Sequence, residues 1–456
     1  MAQLSQLSPL VNLINKALEA EHLEQAAAVF LQMRPADRAD VFELMDDSAQ
    51  ELLLTQLDIP NTADLFDELE DHETAEAAAS LSLERLADVL DEMDPDEAAD
   101  LLLDLSPEKA EQALIEMDEA EDVIPLLHYA DETAGGRMTT AYIDLVPETT
   151  TEGAIQQLRE MGGDNDVPFY LFVVTADGQL TGIVGLQDLV IASPETTVRE
   201  IMDPDVIRIA AEADQEEAAR IMVHYDLTAL PVVDPADGHM LGVITHDDIL
   251  DVIEDEATED IYHLASVTNA ELEPESAVNK QLKGRLPWLL LNTMTALFAS
   301  WIISNFGDLF LQVAVLAFFQ SVVAGQGGNA ASQNVAMIVR ALALGKIESK
   351  RVGVILLRQL WVGFLQGSIL GIIVGGGVAF WQHNPYLGLV LGLALIGNLI
   401  VASIVGTLAP LALHFARQDP ALASSVLVTA ATDSLGFLIF LSLAKFFLPY
   451  LVHYIP

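Results

Sequence analysis

The sequence predicts a multidomain membrane protein: an all-α superhelical N-terminal domain, a paired α+β module, a connecting helix and an all-α transmembrane domain of five helices. Three observations predict it. Charge is confined to one part of the chain, the hydrophobic period changes once within that part, and the remainder is almost continuously apolar. Residues 286–456 carry seven basic residues against four acids, Asp308, Glu348, Asp419 and Asp433. Of the chain's 20 basic and 69 acidic residues, 13 and 65 therefore fall in 1–285, a net charge of −52. The acidic part suits water and metal cations, and the nearly uncharged part suits lipid. Such acidity repels phosphate, which argues against nucleic acid as a partner. There is no cysteine, so disulfides and thiolate metal sites are excluded. No two of the ten histidines stand at the i, i+4 spacing that would place both on one helix face.

Residues 1–136 read as the helical domain. The opening "MAQLSQLSPLVNLINKALEAEHL" lacks the basic start and unbroken apolar core of a signal peptide, so the acidic part is expected in the cytoplasm. Leu83, Leu86, Val89, Leu90 and Met93 recur three and four apart, the stripe of a helix packed on one side. A phrase with proline near a helix start, Ala-Asp and then an apolar pair recurs at 34–45, 59–69 and 94–105. That repetition predicts stacked helical hairpins.

The period changes in residues 137–254. "FYLFVVTADGQLTGIVGLQDLV" (169–190) reads as strand, Asp-Gly turn, strand and helix, and "LTALPVVDPADGHMLGVITHDDILDVI" (227–253) repeats that order. With "LPVVD" and "GVITHDDIL", this stretch resembles a pair of cystathionine-β-synthase (CBS) domains, a pseudo-dimer that senses nucleotides or ions. Residues 255–285 are expected to form the connecting helix, continuing the acidic run 247–264 and ending on Lys280, Lys283 and Arg285.

Five apolar spans follow in 286–456, at about 286–305, 309–339, 353–380, 386–414 and 424–450, each long enough for a bilayer core that needs about 20 residues. Lys and Arg cluster before the first span, between the second and third, and between the fourth and fifth. By the positive-inside rule the protein is multi-pass in the plasma (inner) membrane, with its N-terminal half cytoplasmic and its C-terminus outside.

Within the spans, Asp433 is the one carboxylate deep in apolar sequence. An ionised Asp there costs on the order of 3 kcal/mol, so such a group faces a watery path or an ion, or else serves as a protonated helix–helix hydrogen bond. The run "VVAGQGGNAASQN" (322–334) adds neutral oxygen donors, which suit hard cations. Taken alone, its Gly-Gly-Asn is equally a close helix-packing site.

The whole order, with "ETAGGRM" (132–138), "ADQEEAARIM" (213–222), "YDLTALPVVD" (225–234), "DDILDVIEDEATEDI" (247–261), "GQGGN" (325–329) and "DPALAS" (419–424), resembles the MgtE family of magnesium transporters. The resemblance implies a homodimer in lipid with a pore on its two-fold axis. Asp433 would recognise hydrated Mg2+, with Asn329, Gln333, Gly328 and Ser332 in the matching motif. It also implies closure by cytosolic Mg2+ at Asp96 and Asp100, at Asp214, Glu216, Asp226, Asp248 and Asp251, and at Glu256 and Glu259. "THDD" (245–248) fits the CBS ribose pattern, so regulatory ATP is implied at Thr245 and Asp248, and at Asp188 in the first copy, where Gly185 replaces the hydroxyl.

This chain departs from the family pattern at "GGNAASQ", where Ser332 replaces an amide, at Ser321 and at Ser425-Val426. Ion selectivity is the property those changes bear on. The residues leave open another divalent cation, such as cobalt or manganese, or ion-coupled magnesium export. An enzyme is not expected: an intramembrane aspartyl protease needs two carboxylates, and Asp308 sits at a span edge without the motif such a partner requires.

Overall fold

A computed structural model describes residues 4–20, 22–69, 71–161, 170–268, 272, 276–347, 349–422 and 425–453. The chain forms two compact units, Met1–Val252 and Ile253–Pro456.

The first unit begins with short helices: α1 (Leu4–Glu19), α2 (Leu23–Phe30), α3 (Pro35–Glu43), α4 (Asp47–Leu54), α5 (Ile59–Phe66), α6 (Asp71–Ala79), α7 (Leu83–Leu90), α8 (Pro95–Asp104), α9 (Pro107–Glu116) and α10 (Ala120–Val123). The recurring phrase proves to be a helix start. Proline occupies the first turn of α3, α5, α8 and α9, where its missing N–H has no helical partner to lose. Asp46, Asp58 and Ser82 cap α4, α5 and α7 by accepting the N–H groups of Ala49, Asn61 and Arg85.

Helix ends are satisfied by cations from later helices. Arg38 donates to the Leu31 and Met33 carbonyls just after α2, Arg85 to Leu54 and Leu57 at and beyond the end of α4, and Lys109 to Ala78 and Ala79 in the last turn of α6. Positive charge there also complements the negative helix terminus. Apolar stripes bury Phe30, Phe42, Phe66, Leu86 and Leu90, and α3 packs on α5, α5 on α7 and α7 on α9.

Two matching modules follow. Strands β1 (Asp144–Leu145), β2 (Tyr170–Val174) and β3 (Leu180–Gly185) form one sheet, and β4 (Ile209–Ala210), β5 (Ala229–Val233) and β6 (Met240–Thr245) form the other. In each sheet the first pair is parallel and the second antiparallel, with a register shift at Val173/Val174 and again at Val232/Val233. Gly178 and Gly238 both take φ of 76°, the left-handed backbone that the Asp-Gly turns require. Phe169, the first letter of the earlier phrase, lies outside the described residues.

Helices α11 (Thr151–Met161), α12 (Leu186–Ile191), α13 (Val198–Ile201) and α14 (Gln215–Tyr225) complete the modules. Phe172, Leu180, Val233 and Met240 share one cluster between the two copies. A larger core runs from the helical region through Leu126 and Met138 into Leu230, Ile244 and Ile249.

Helix α15 (His246–Leu264) differs from the connecting helix expected in 255–285: it begins at His246, directly after β6, and ends at Leu264. Ser266 adopts φ of 63°, which breaks the helical path. Lys280, Lys283 and Arg285 stand instead in the first turns of α16 (Val278–Ser304).

The second unit continues with α17 (Gly307–Gln312), α18 (Leu316–Ala343), α19 (Val352–Trp381), α20 (Pro385–Phe415), α21 (Ser425–Phe446) and α22 (Leu448–His453). Among the described residues, four helices are long and apolar enough to cross a membrane: α16, α19, α20 and the helix ending at Phe446. The expected span 309–339 is divided after Gln312. Its larger part, α18, has 28 residues, about 42 Å at 1.5 Å per residue, but its polar run lowers its apolarity. Ala423 and Ser424, at the end of "DPALAS", lie outside the described residues. Helix α20 contacts α18, α19 and α21. Against α19 the backbones nearly touch: a Cβ on Gly371 would stand 2.7 Å from the Gly392 carbonyl oxygen.

Candidate ion path and acidic sites

The polar run lies wholly within α18 and gives that helix two unlike faces. Val323, Gly327, Ala331 and Val335, four apart, are buried against the bundle. Gln326, Asn329 and Gln333 are exposed on another face, and Ser332 and Gly328 are half-buried between the faces. Small residues thus let α18 approach its neighbours while the amides point away from them. A Cβ on Gly328 would lie 3.6 Å from Thr429 on α21. One helical turn beyond Thr429 stands half-buried Asp433. The structure therefore brings together the motif and the aspartate, which lie about 100 residues apart in sequence.

In the first unit, Asp96 on α8 is 9% exposed, and its Oδ1 has no hydrogen-bond partner. Burial, followed by the charges of Asp248 and Asp94, pushes its carboxyl up to about 7, opposed by a hydrogen bond from Thr139. Asp67, at the end of α5, is pushed up to about 8 by burial and by Asp94, Asp64, Asp96 and Glu68. Its Oδ1 is also buried without a partner. Burial, Asp64 and Asp251 raise Glu68. Burial raises Asp248, against the hydrogen bond from Thr245, whose hydroxyl lies 2.5 Å from Oδ2.

Thus Asp96, Asp248 and Asp251 lie in one acidic neighbourhood. Asp64, Asp67, Glu68 and Asp94 belong to it as well, and sequence reasoning missed them. No spacing rule joins the end of α5 to the start of α8.

The other expected acids are placed differently. Asp100 shares a face of α8 with Asp96, yet its carboxylate lies 3.9 Å from Arg137, which also donates to Gln215. Asp214 caps α14 by accepting the Glu216 N–H, whereas Asp226 ends that helix with φ of 55°. Eleven residues, about 16 Å, separate the two ends, so Asp226 does not share one ion with Asp214 and Glu216 inside a single chain. Asp188 is exposed in the first turn of α12, beside Gly185.

In the second unit, Glu259 and His263 lie one turn apart on α15, and His263 Nδ1 donates to Asp419 Oδ2 at 2.8 Å. Glu259 Oε1 is 3.5 Å from the same nitrogen. His263 is 8% exposed, and its pKa is raised by the Asp419 hydrogen bond against the effect of burial. One ligand atom from each residue lies within 4.8 Å of the others, close enough to hold a cation. Glu256 is half-buried one turn before Glu259. Sequence reasoning named Glu256 and Glu259. It missed His263, legible as an i, i+4 partner of Glu259, and Asp419, 156 residues further on.

Comparison with known proteins gives matches over most of the chain. The MgtE intracellular N domain matches residues 14–132, the CBS domain 198–255 and the MgtE divalent cation transporter domain 320–443. Magnesium transporter MgtE of Thermus thermophilus is 38% identical over 328 residues, 72% of either chain. The Enterococcus faecalis protein of the same name is 35% identical, over 73% of this chain and 72% of its own. The soluble part of a magnesium transporter superposes with a TM-score of 0.50 at 31% identity, covering 55% of this chain and 99% of that one. The cytosolic domain of the Mg2+ channel MgtE in complex with ATP gives 0.50 at 32%, covering 52% and 98%.

Proposed function

From the premise that the chain belongs to the MgtE family of magnesium transporters, we propose that it is a magnesium-selective channel, working as a homodimer in the plasma (inner) membrane. In this reading α18 is the fifth membrane-spanning helix of each subunit, and the C-terminus lies outside. The observation that carries the proposal is the two-faced α18: its amides Gln326, Asn329 and Gln333 are exposed on a helix packed among long apolar helices, beside the helix that bears Asp433. A second copy related by a two-fold axis would cover that face and set two Asp433 carboxylates around one path.

Mg2+ gives up water reluctantly, so a wide ring of carboxylates and neutral amides suits its hydrated form better than a tight cage. Two negative charges attract a dication without trapping it. The test is growth of a strain lacking magnesium uptake. Wild type is expected to rescue and Asp433→Asn is not; equal rescue by both removes Asp433 from the path, and no rescue by wild type removes magnesium. Ser332 among the amides favours one second reading, a path open to cobalt or manganese. Uptake of those ions at the magnesium rate would establish it.

Cytosolic Mg2+ closes the path by neutralising the acidic sites, namely Asp96 and Asp100 of the N-terminal domain with Asp248 and Asp251, Asp214 with Glu216, Asp226, and Glu256 with Glu259 on α15. Like charges about 4 Å apart repel by about 1 kcal/mol in water and about 4 kcal/mol near a protein surface. Moving a mostly open population to mostly closed takes about 5.5 kcal/mol, within reach of a few such clusters. The orphaned carboxylate oxygens of Asp67 and Asp96 support this reading, because a cation would supply the partner they lack. ATP would bind through Thr245 and Asp248, with Asp188 as the first copy's equivalent.

A further inference from the structure

Asn398 stands in α20, the most apolar of the four long apolar helices. Its side chain is 0% exposed. The amide Nδ2 donates to the Val323 carbonyl of α18 at 2.8 Å, while Oδ1 has no partner. Two glycines make room for it. One is Gly327 of α18, where a Cβ would collide with the amide nitrogen. The other is Gly436 of α21, where a Cβ would stand 2.7 Å from Cγ, Nδ2 and Oδ1. The amide is therefore held between the two helices that carry the polar run and Asp433. Gly327 lies two residues before Asn329, and Gly436 three residues after Asp433.

Stability does not account for this residue. The Val323 carbonyl is already a helical acceptor position for Gly327, and an orphaned amide oxygen in an apolar core is a cost that a side chain without polar atoms would not carry. Polar groups kept at such a cost concentrate where function constrains the fold.

We infer that Asn398 is a positioning residue of the ion path. Through Val323 and Gly327 on one side and Gly436 on the other, it sets the spacing of α18 from α21. That spacing places Asn329 relative to Asp433 and so governs how the path discriminates among divalent cations of different size. The inference rests on the path reading for its consequence, but not for the spacing itself.

The chain has no native cysteine, so spin labels can be attached at Met337→Cys on α18 and Leu427→Cys on α21, both exposed positions. The labelled full-length protein, diluted with unlabelled copies, reports their separation whether or not transport occurs. Asn398→Leu is expected to shift or broaden that distance and to lower the Mg2+-to-Ca2+ flux ratio in proteoliposomes at least tenfold. Gly327→Ala, which displaces the amide from the other side, gives the same two changes, and Asn398→Ser, which keeps a donor, gives smaller ones. If Asn398→Leu does not fold, Gly327→Ala and Asn398→Ser carry the comparison.

An unchanged distance overturns the inference. So does an unchanged flux ratio, even where total flux falls, which marks a packing residue. Absence of wild-type transport overturns the path reading instead, and the distance then decides the role of Asn398.

Discussion

The acidic neighbourhood of the first unit and the polar face of the second are built on opposite plans. Around Asp96, carboxylates from α5, α8 and α15 crowd together, two with buried unpartnered oxygens, and burial and mutual charge push Asp67 up to about 8 and Asp96 to about 7. Beside Asp433 stand glycines and amides, with a single carboxylate per chain. Crowded acids hold a cation strongly and change shape when it leaves, whereas one carboxylate among neutral donors attracts an ion that can also depart. On the proposed function, the difference teaches how one chain would both sense and conduct the same dication.

Five substitutions break or sharpen this contrast. On the proposed path Asp433→Asn removes the one charge, and magnesium flux into proteoliposomes should fall to background. Asn329→Ala and Gln333→Ala remove one neutral donor each, worth about 1 kcal/mol, so flux should fall by about tenfold or less.

Asp67→Asn acts in the opposite sense, on stability. The folded pKa of Asp67, about 8, lies above its ordinary value of 3.8. Its contribution is therefore fully present below about pH 4 and is lost as pH rises through about 8. Without magnesium, the variant should be more stable than wild type at pH 8 by about 1–3 kcal/mol, with little difference at pH 4, in thermal unfolding of the full chain. Magnesium should narrow the gap. Asp100→Asn should do least, changing stability by about 1 kcal/mol and magnesium protection less than Asp96→Asn does, because Arg137 already faces Asp100. Protease protection read against magnesium concentration checks the pair.

Local chemistry made much of this readable from sequence. Asp-Gly turns fixed both hairpins, proline and aspartate marked helix starts, and a polar run inside apolar sequence marked α18. Asp96 and Asp248 could be named one by one through the family resemblance. What escaped depends on tertiary contact. Asp67 meets Asp94 and Asp96 only because α5 and α8 fold together, and Asp419 meets His263 across 156 residues. Asn398 was visible as a lone amide in "LIGNLIV", but its meaning comes from Gly327 and Gly436, which pack against it from two other helices. The division of 309–339 after Gln312 and the early start of α15 likewise follow from backbone geometry that hydropathy does not report.

The central claim is that crowded acids sense magnesium and govern a lean path. Its most direct test is magnesium flux through the full-length protein in oriented proteoliposomes, with magnesium varied on the side of the acidic unit, for wild type and for the variant combining Asp67→Asn, Asp96→Asn and Asp248→Asn. The account predicts that wild-type flux falls steeply as that magnesium rises into the millimolar range and that flux through the variant no longer depends on it. Equal inhibition of both proteins, or a wild-type flux indifferent to magnesium on that side, would contradict it.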